Sequence, residues 1–230
     1  MTSQLNPDDF VISRKRKKYK FAKFYNAPNC FEFEEWKAFW YAWQFGSEKK
    51  DLAATRLSVE IGAGTGLFSV ELATRHPEKL FVAIDVKADR LQKGAYETLE
   101  RGLTNVFFVR ARADQIDQLF EPKSLKTIWL TFPDPFPRPR SERRRMTHPI
   151  YLEKYKMLLK TNGTFYLKHD NLDFFCWSLE QLVGENWRPK ELSFDLHESK
   201  LPDDYKIITT YEQRWLNEGR KTNLVSAQPN

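Results

Sequence analysis

Leu57-Ser-Val-Glu-Ile-Gly-Ala-Gly-Thr-Gly66, running on into Leu67-Phe-Ser-Val-Glu-Leu-Ala-Thr-Arg75, decides the fold. The first half is a short apolar strand that ends in glycines. The second carries apolar residues at helical spacing and stops at Pro77. A strand that passes through a glycine turn into a helix is the opening unit of a parallel α/β sheet. Glycine is needed there because it lets the backbone turn sharply and lets a ligand come close.

The same alternation continues outward. Leu80–Asp85 reads as a buried strand, and Ala88–Gly102 as a helix with Gly102 near its C-cap. Val106–Val109 is a third strand, Ile116–Phe120 a short helix and Leu125–Phe132 a fourth strand. A loop rich in proline and arginine follows. Ile150–Leu159 is a helix closed by Asn162 and Gly163, Thr164–Lys168 a fifth strand and Leu172–Val183 another helix. The expected fold is therefore α/β, a Rossmann-like, doubly wound sheet, mostly parallel, with helices on both faces. Leu192–Leu196 and Tyr205–Tyr211 are separated only by a loop, so they are expected to form an antiparallel C-terminal edge pair. Residues 1–50 read as a basic, aromatic-rich arm ending in a short helix over Glu34–Trp43. Residues 51–220 read as the main domain and 221–230 as a tail.

Composition narrows the function. A chain of 230 residues holds one sizeable domain. No run approaches the ~20 apolar residues that span a bilayer. The opening MTSQLNPDDF has no secretory pattern. Cys30 and Cys176 form no CxxC pair and make no zinc site by themselves, so no metal is expected and a reducing cytoplasm is the simplest location. The net charge of +6 is unevenly placed. Arg14–Lys23 and Arg138–Arg145 are densely basic, and the first interleaves its cations with Tyr19 and Phe21. Each cluster alone reads equally as a solvated segment; two in one chain point to a phosphate-rich partner. The sequence leaves monomer and homodimer both open.

Glu60-Ile-Gly-Ala-Gly-Thr-Gly66 does not match the dinucleotide fingerprint, whose last small position falls on Leu67 here, and it lacks a Walker lysine. Asp85 ends the next strand, 19 residues past Gly66, where a carboxylate accepts both ribose hydroxyls of a nucleoside. A glycine turn beside Glu60 suits S-adenosyl-L-methionine, which is cationic and carries no phosphate. The alternative is an ordinary βα turn. Phe132-Pro-Asp-Pro-Phe-Pro137 follows the fourth strand, where ligands of such sheets bind. Asp134 can accept from the N1–H and amino group of a guanine, turning N7 toward the methyl donor. N7 has a free lone pair, so no general base is required. The competing reading of Asp134 is a turn residue between prolines.

Together, Glu60–Gly66, Phe132–Arg138, Arg143-Arg-Arg-Met-Thr147, Lys168-His-Asp-Asn171 and Thr209-Thr-Tyr-Glu212 resemble the bacterial tRNA (guanine-N7)-methyltransferase family over roughly residues 10–220. The resemblance implies a class I methyltransferase fold and methylation of the variable-loop guanine of tRNA. It assigns Glu60, Gly62, Gly64, Asp85, Arg112 and Asp134 to the cofactor. It assigns Asp134, Arg138, Asp170, Thr209, Thr210, Tyr211 and Glu212 to the guanine side, with Asp134 as the catalytic residue. Arg138 replaces a usual lysine and Phe136 a usual tryptophan. Arg112 stands where the family has an aspartate beside adenine, and Asp114, two residues on, shares its face if that segment is extended. The alternatives are an enzyme acting on an exocyclic amine, a small-molecule methyltransferase, and a non-catalytic RNA-binding protein.

Overall fold

A computed structural model describes residues 4–45 and 56–230 of the protein. The boundary expected at 50/51 lies outside the described residues. Eight strands form one sheet: β1 Cys30–Glu32, β2 Arg56–Ile61, β3 Lys79–Asp85, β4 Val106–Arg110, β5 Leu125–Thr131, β6 Leu159–His169, β7 Trp187–Ser193 and β8 Asn223–Pro229. Their spatial order is β1-β4-β3-β2-β5-β6-β8-β7. Every pairing from β1 to β6 is parallel, and β8 pairs antiparallel with both β6 and β7. The helices are α1 Lys15–Asn26, α2 Phe33–Phe45, α3 Leu67–Arg75, α4 Ala88–Glu100, α5 Pro149–Leu158, α6 Leu172–Gly184 and α7 Thr210–Leu216.

Strand alternation builds a core on each face of the sheet. In β3, Leu80, Val82 and Ile84 join one core, while Phe81 and Ala83 join the other. The chain winds from β2 to β3 and β4 in one direction, and β5 with β6 lies on β2's opposite side. The order therefore reverses between β2 and β5, where open α/β sheets bind ligands beyond the carboxyl ends of their strands.

Three expectations are corrected. Arg14–Lys23 does not form an arm: it opens α1, which lies against α4 and buries Ala22 and Phe24. Like charges disfavour that helix in isolation, but burying one phenylalanine contributes roughly 2–3 kcal/mol and outweighs them. The apolar positions 21, 24 and 25 already had helical spacing. The antiparallel pair exists but is made of β7 and β8, with β8 inside the sheet; 223–229 is no tail. Tyr205–Tyr211 contributes no strand, because Thr209 caps α7 and accepts from the Glu212 N–H at 3.0 Å. Finally, α5 ends at Leu158, and Asn162 and Gly163 lie within β6 beside a register irregularity.

Candidate active site

The glycine loop sits at the switch point. Gly62, Gly64 and Gly66 have φ of 73°, 58° and 71°, a region that penalises any side chain. Asp85 fastens the loop from behind: Gly64 N–H donates to its Oδ2 at 2.9 Å and Lys87 N–H to its Oδ1 at 2.8 Å. Burial nonetheless raises its pKa, since those donors offset only part of the desolvation. Close packing holds the loop from below. A Cβ on Gly66 would lie 2.6 Å from the Phe108 ring, and one on Gly94 of α4 would lie 2.4 Å from the Thr65 carbonyl. The only sign of Gly94 in the sequence is a glycine inside a helical pattern.

Glu60 is 2% exposed. Ser69 Oγ donates to one carboxylate oxygen and Thr131 Oγ1 to the other, both at 2.6 Å. Burial pushes its pKa to about 7 against the lowering effect of the two hydroxyls and of Lys168. A cavity of about 390 Å³ opens above, lined by Glu60, Gly62–Thr65, Phe68, Thr131, Phe132, and Thr209–Tyr211 of the α7 cap. Arg90 and Arg214 also line it, and neither stood out in the sequence. The Phe132 and Tyr211 rings lie 5.4 Å apart at its wall.

Asp134 is exposed, two residues beyond Phe132. The backbone around it is strained. Phe132 and Phe136 have φ of 52° and 41°, and each costs of the order of 1–2 kcal/mol for a side chain of that bulk. Such conformations persist only where the surroundings hold them. Pro133, Pro135 and Pro137 lack N–H groups, so this loop makes no ladder of its own.

A family described as "Putative methyltransferase" matches residues 54–224. The chain is 35% identical over 171 residues to the tRNA (guanine-N(7)-)-methyltransferase of Brevibacillus brevis, covering 74% of this chain and 79% of that protein. It is 38% identical over 181 residues to the enzyme of that name from Mycoplasmopsis agalactiae, covering 79% and 87%. The match to its counterpart in Bacteroides thetaiotaomicron is 33% over 216 residues, covering 89% and 82%. The chain belongs to the tRNA (guanine-N7)-methyltransferase family. Solved structures agree on the fold alone: an antibiotic-related methyltransferase superposes with a TM-score of 0.59 at 16% identity, over 78% of this chain and 90% of that one. The 16S rRNA methyltransferase KamB gives 0.58 at 13%, over 76% and 88%. The sheet is thus that of a class I methyltransferase.

The residues that the family resemblance singles out sit in three environments. Thr209, Thr210 and Tyr211 face the cavity. Glu212 does not: it is 1% exposed and accepts from Lys168 Nζ at 3.0 Å, His197 Nε2 at 2.8 Å and Thr222 Oγ1 at 2.9 Å. Burial opposes its ionisation, yet His197 and Lys168 hold its pKa below the usual value. Burial conversely lowers the pKa of Lys168, and Lys168 Nζ also donates to the Ile207 carbonyl at 2.9 Å. This ion pair anchors α7 to β6. Asp170 is nearly enclosed, with its Oδ2 3.3 Å from Arg220 Nη1 and its buried Oδ1 making no hydrogen bond, 3.5 Å from His169 Nδ1. Arg138 is exposed.

Arg112 stands at the position that the resemblance gives to an aspartate. Its guanidinium is exposed and grips Asp114 with Nε at 2.9 Å and Nη2 at 2.7 Å, which lowers the Asp114 pKa. The segment is not extended there; Ala113–Gln118 is a 3-10 turn, so the shared face does not come from strand alternation. Among the described residues no group of three His, Cys, Asp or Glu side chains is arranged to hold a metal. No described helix is long and apolar enough to cross a membrane.

Proposed function

We propose that this protein transfers the methyl group of S-adenosyl-L-methionine to N7 of the variable-loop guanine of tRNA. The observation that carries the reading is Asp134, an exposed carboxylate two residues past the wall of the switch-point cavity. The cavity suits that cofactor. Its glycine loop presents backbone rather than side chains, Asp85 closes the strand beside it, and Glu60 lies at its floor. When bound, S-adenosyl-L-methionine supplies an electrophilic methyl group.

Glu60, Gly62, Gly64 and Asp85 hold the cofactor, with Arg112 and Asp114 as the pair nearest the family's adenine position. Asp134 accepts from the N1–H and amino group of guanine and orients N7. The lone pair is already free, so alignment and charge stabilisation carry the rate. The carboxylate also favours the cationic purine that forms. Thr209, Thr210 and Tyr211 border the base. Asp170 and Glu212 act from behind, and Arg138 meets the phosphate backbone. Exposed Lys15, Arg16, Lys17 and Lys23 on α1, with Arg140, Arg143 and Arg144, extend that surface. The free thiols of Cys30 and Cys176 and a tRNA substrate fit a cytoplasmic site of action.

The test is nucleoside analysis of unmodified tRNA incubated with the protein and labelled S-adenosyl-L-methionine. Label in 7-methylguanosine is expected. Label in an exocyclically methylated base, or only in small molecules, refutes the proposal.

A further inference from the structure

Arg145 belongs by sequence to the basic cluster Arg138–Arg145, but the fold separates it from its neighbours. Arg143 and Arg144 are exposed, whereas Arg145 is 9% exposed. Its guanidinium packs 4.4 Å from the centre of the Trp177 ring. Its Nε–H donates to the Pro135 carbonyl at 3.1 Å and the Phe136 carbonyl at 3.3 Å, and Nη2 donates to the latter at 3.2 Å. Nη1 donates to Glu142 at 3.0 Å. An arginine so committed has little left to offer a phosphate.

The opposite flank of Asp134 has a matching contact. His169, at the end of β6, is 3% exposed. The Asn171 N–H donates to its Nδ1 at 2.8 Å, so the ring proton resides on Nε2, which donates to the Pro133 carbonyl at 2.9 Å. The carbonyls immediately before and after Asp134, and the next one on, are therefore all held by buried side chains. Both contacts sit where proline has removed the backbone's own donors and where Phe132 and Phe136 are strained.

We propose that Arg145 and His169 are positioning residues that clamp the backbone on either side of Asp134, and that Arg145 is not a tRNA-phosphate ligand. The proposal rests on the reading of Asp134 as the residue that orients the guanine. Clamping the peptide units rather than the carboxylate leaves Asp134 exposed to the incoming base and fixes its direction before binding.

Arg145→Lys separates the two roles, because it keeps the charge and loses the planar fork. The expected result is a fall in kcat of about tenfold or more, the scale of a small misplacement of a reacting group. The tRNA dissociation constant, its salt dependence and the cofactor affinity stay as in the wild type. Arg145→Ala should lose more, and added guanidinium should restore part of its turnover. His169→Phe, which fills the ring's space without the donor, should repeat the kcat-only loss. A wild-type kcat in Arg145→Lys, with a log–log salt slope shallower in Arg145→Ala by about one, marks a phosphate contact and overturns the clamp. Loss of the folded state in Arg145→Lys and His169→Phe alike, read by circular dichroism, makes the contacts structural and also overturns it. Failure of the wild-type protein to methylate any tRNA refutes the functional reading instead, so the two failures are distinguishable.

Discussion

The two walls of the site are built on opposite plans. On the β2–β3 side, Glu60 is buried and the glycine loop and Asp85 are half-buried, and every carboxylate oxygen of Glu60 and Asp85 has a donor within 2.9 Å. On the β5 side, Asp134, Arg138, Arg140, Arg143 and Arg144 are exposed, and the chain beneath them is strained. On the proposed function, the first wall takes a small molecule whose shape is fixed, so a preformed cradle costs nothing in generality. On the same proposal the second takes a macromolecule and a single base, so its charges stay in solvent while its backbone is held from within. Rigidity is placed in the side chains on one wall and in the peptide units on the other.

Asp134→Asn should have the largest effect. It exchanges an acceptor for a donor facing the guanine N1–H and amino group. Turnover should fall by roughly 100-fold or more, the scale of losing one aligned electrostatic contact. Cofactor affinity, measured by calorimetry, should change less than about threefold. Near-normal turnover in the variant ends the assignment of Asp134. Asp85→Ala should do the reverse. It strands the Gly64 and Lys87 N–H groups and removes the proposed ribose acceptor, so cofactor affinity should weaken by about 1–3 kcal/mol. An unchanged calorimetric affinity contradicts the cradle.

Charge reversal of Arg143 and Arg144 tests the exposed wall more gently. The slope of log affinity for tRNA against log salt should become shallower by about two, and cofactor binding should hold. A slope equal to the wild type's removes these residues from the RNA surface. The smallest effect concerns Glu60. Its folded pKa of about 7 lies above the ordinary 4.5, so the folded state retains a proton that the unfolded state loses. Stability should therefore fall as pH rises from about 4.5 to about 7 and be level above. Glu60→Gln should flatten that slope and gain on the order of 1 kcal/mol at pH 8, once weakened hydrogen bonds are set against relieved desolvation. Thermal melts across pH measure it, and identical slopes in the two proteins count against a buried, raised Glu60.

The first wall was the more legible in sequence because its parts are local. Glycine spacing, a strand and a helix within twenty residues specify a turn, and Asp85 follows at the end of the next strand. The rest of that wall depends on distant packing. Gly94 matters because α4 touches the loop at Thr65, which no short pattern records. The second wall offered the prolines and Asp134, but not their restraints. His169 reaches Pro133 across 36 positions, and Arg145 looked like another cation in a basic run. The C-terminal pairing was misread for a related reason. Ile207-Ile-Thr-Thr-Tyr211 has β-branched character, yet the Thr209–Glu212 capping box claims it for a helix start. Asn223–Pro229 reads as a tail, yet the Asn223 side chain donates to the buried His169 carbonyl and Ser226 to the half-buried Glu191 carboxylate.

In the proposed reaction the nucleophile is guanine N7, oriented by Asp134 without a general base. A tRNA carrying 7-deazaguanosine at the target position alone separates the two edges of that base, since only its N7 lone pair is lost while the N1–H and amino edge remain. This tRNA is expected to bind with the affinity of ordinary tRNA and to accept no methyl group under single-turnover conditions. Methyl transfer to the 7-deaza tRNA at the normal rate would contradict the proposed reaction.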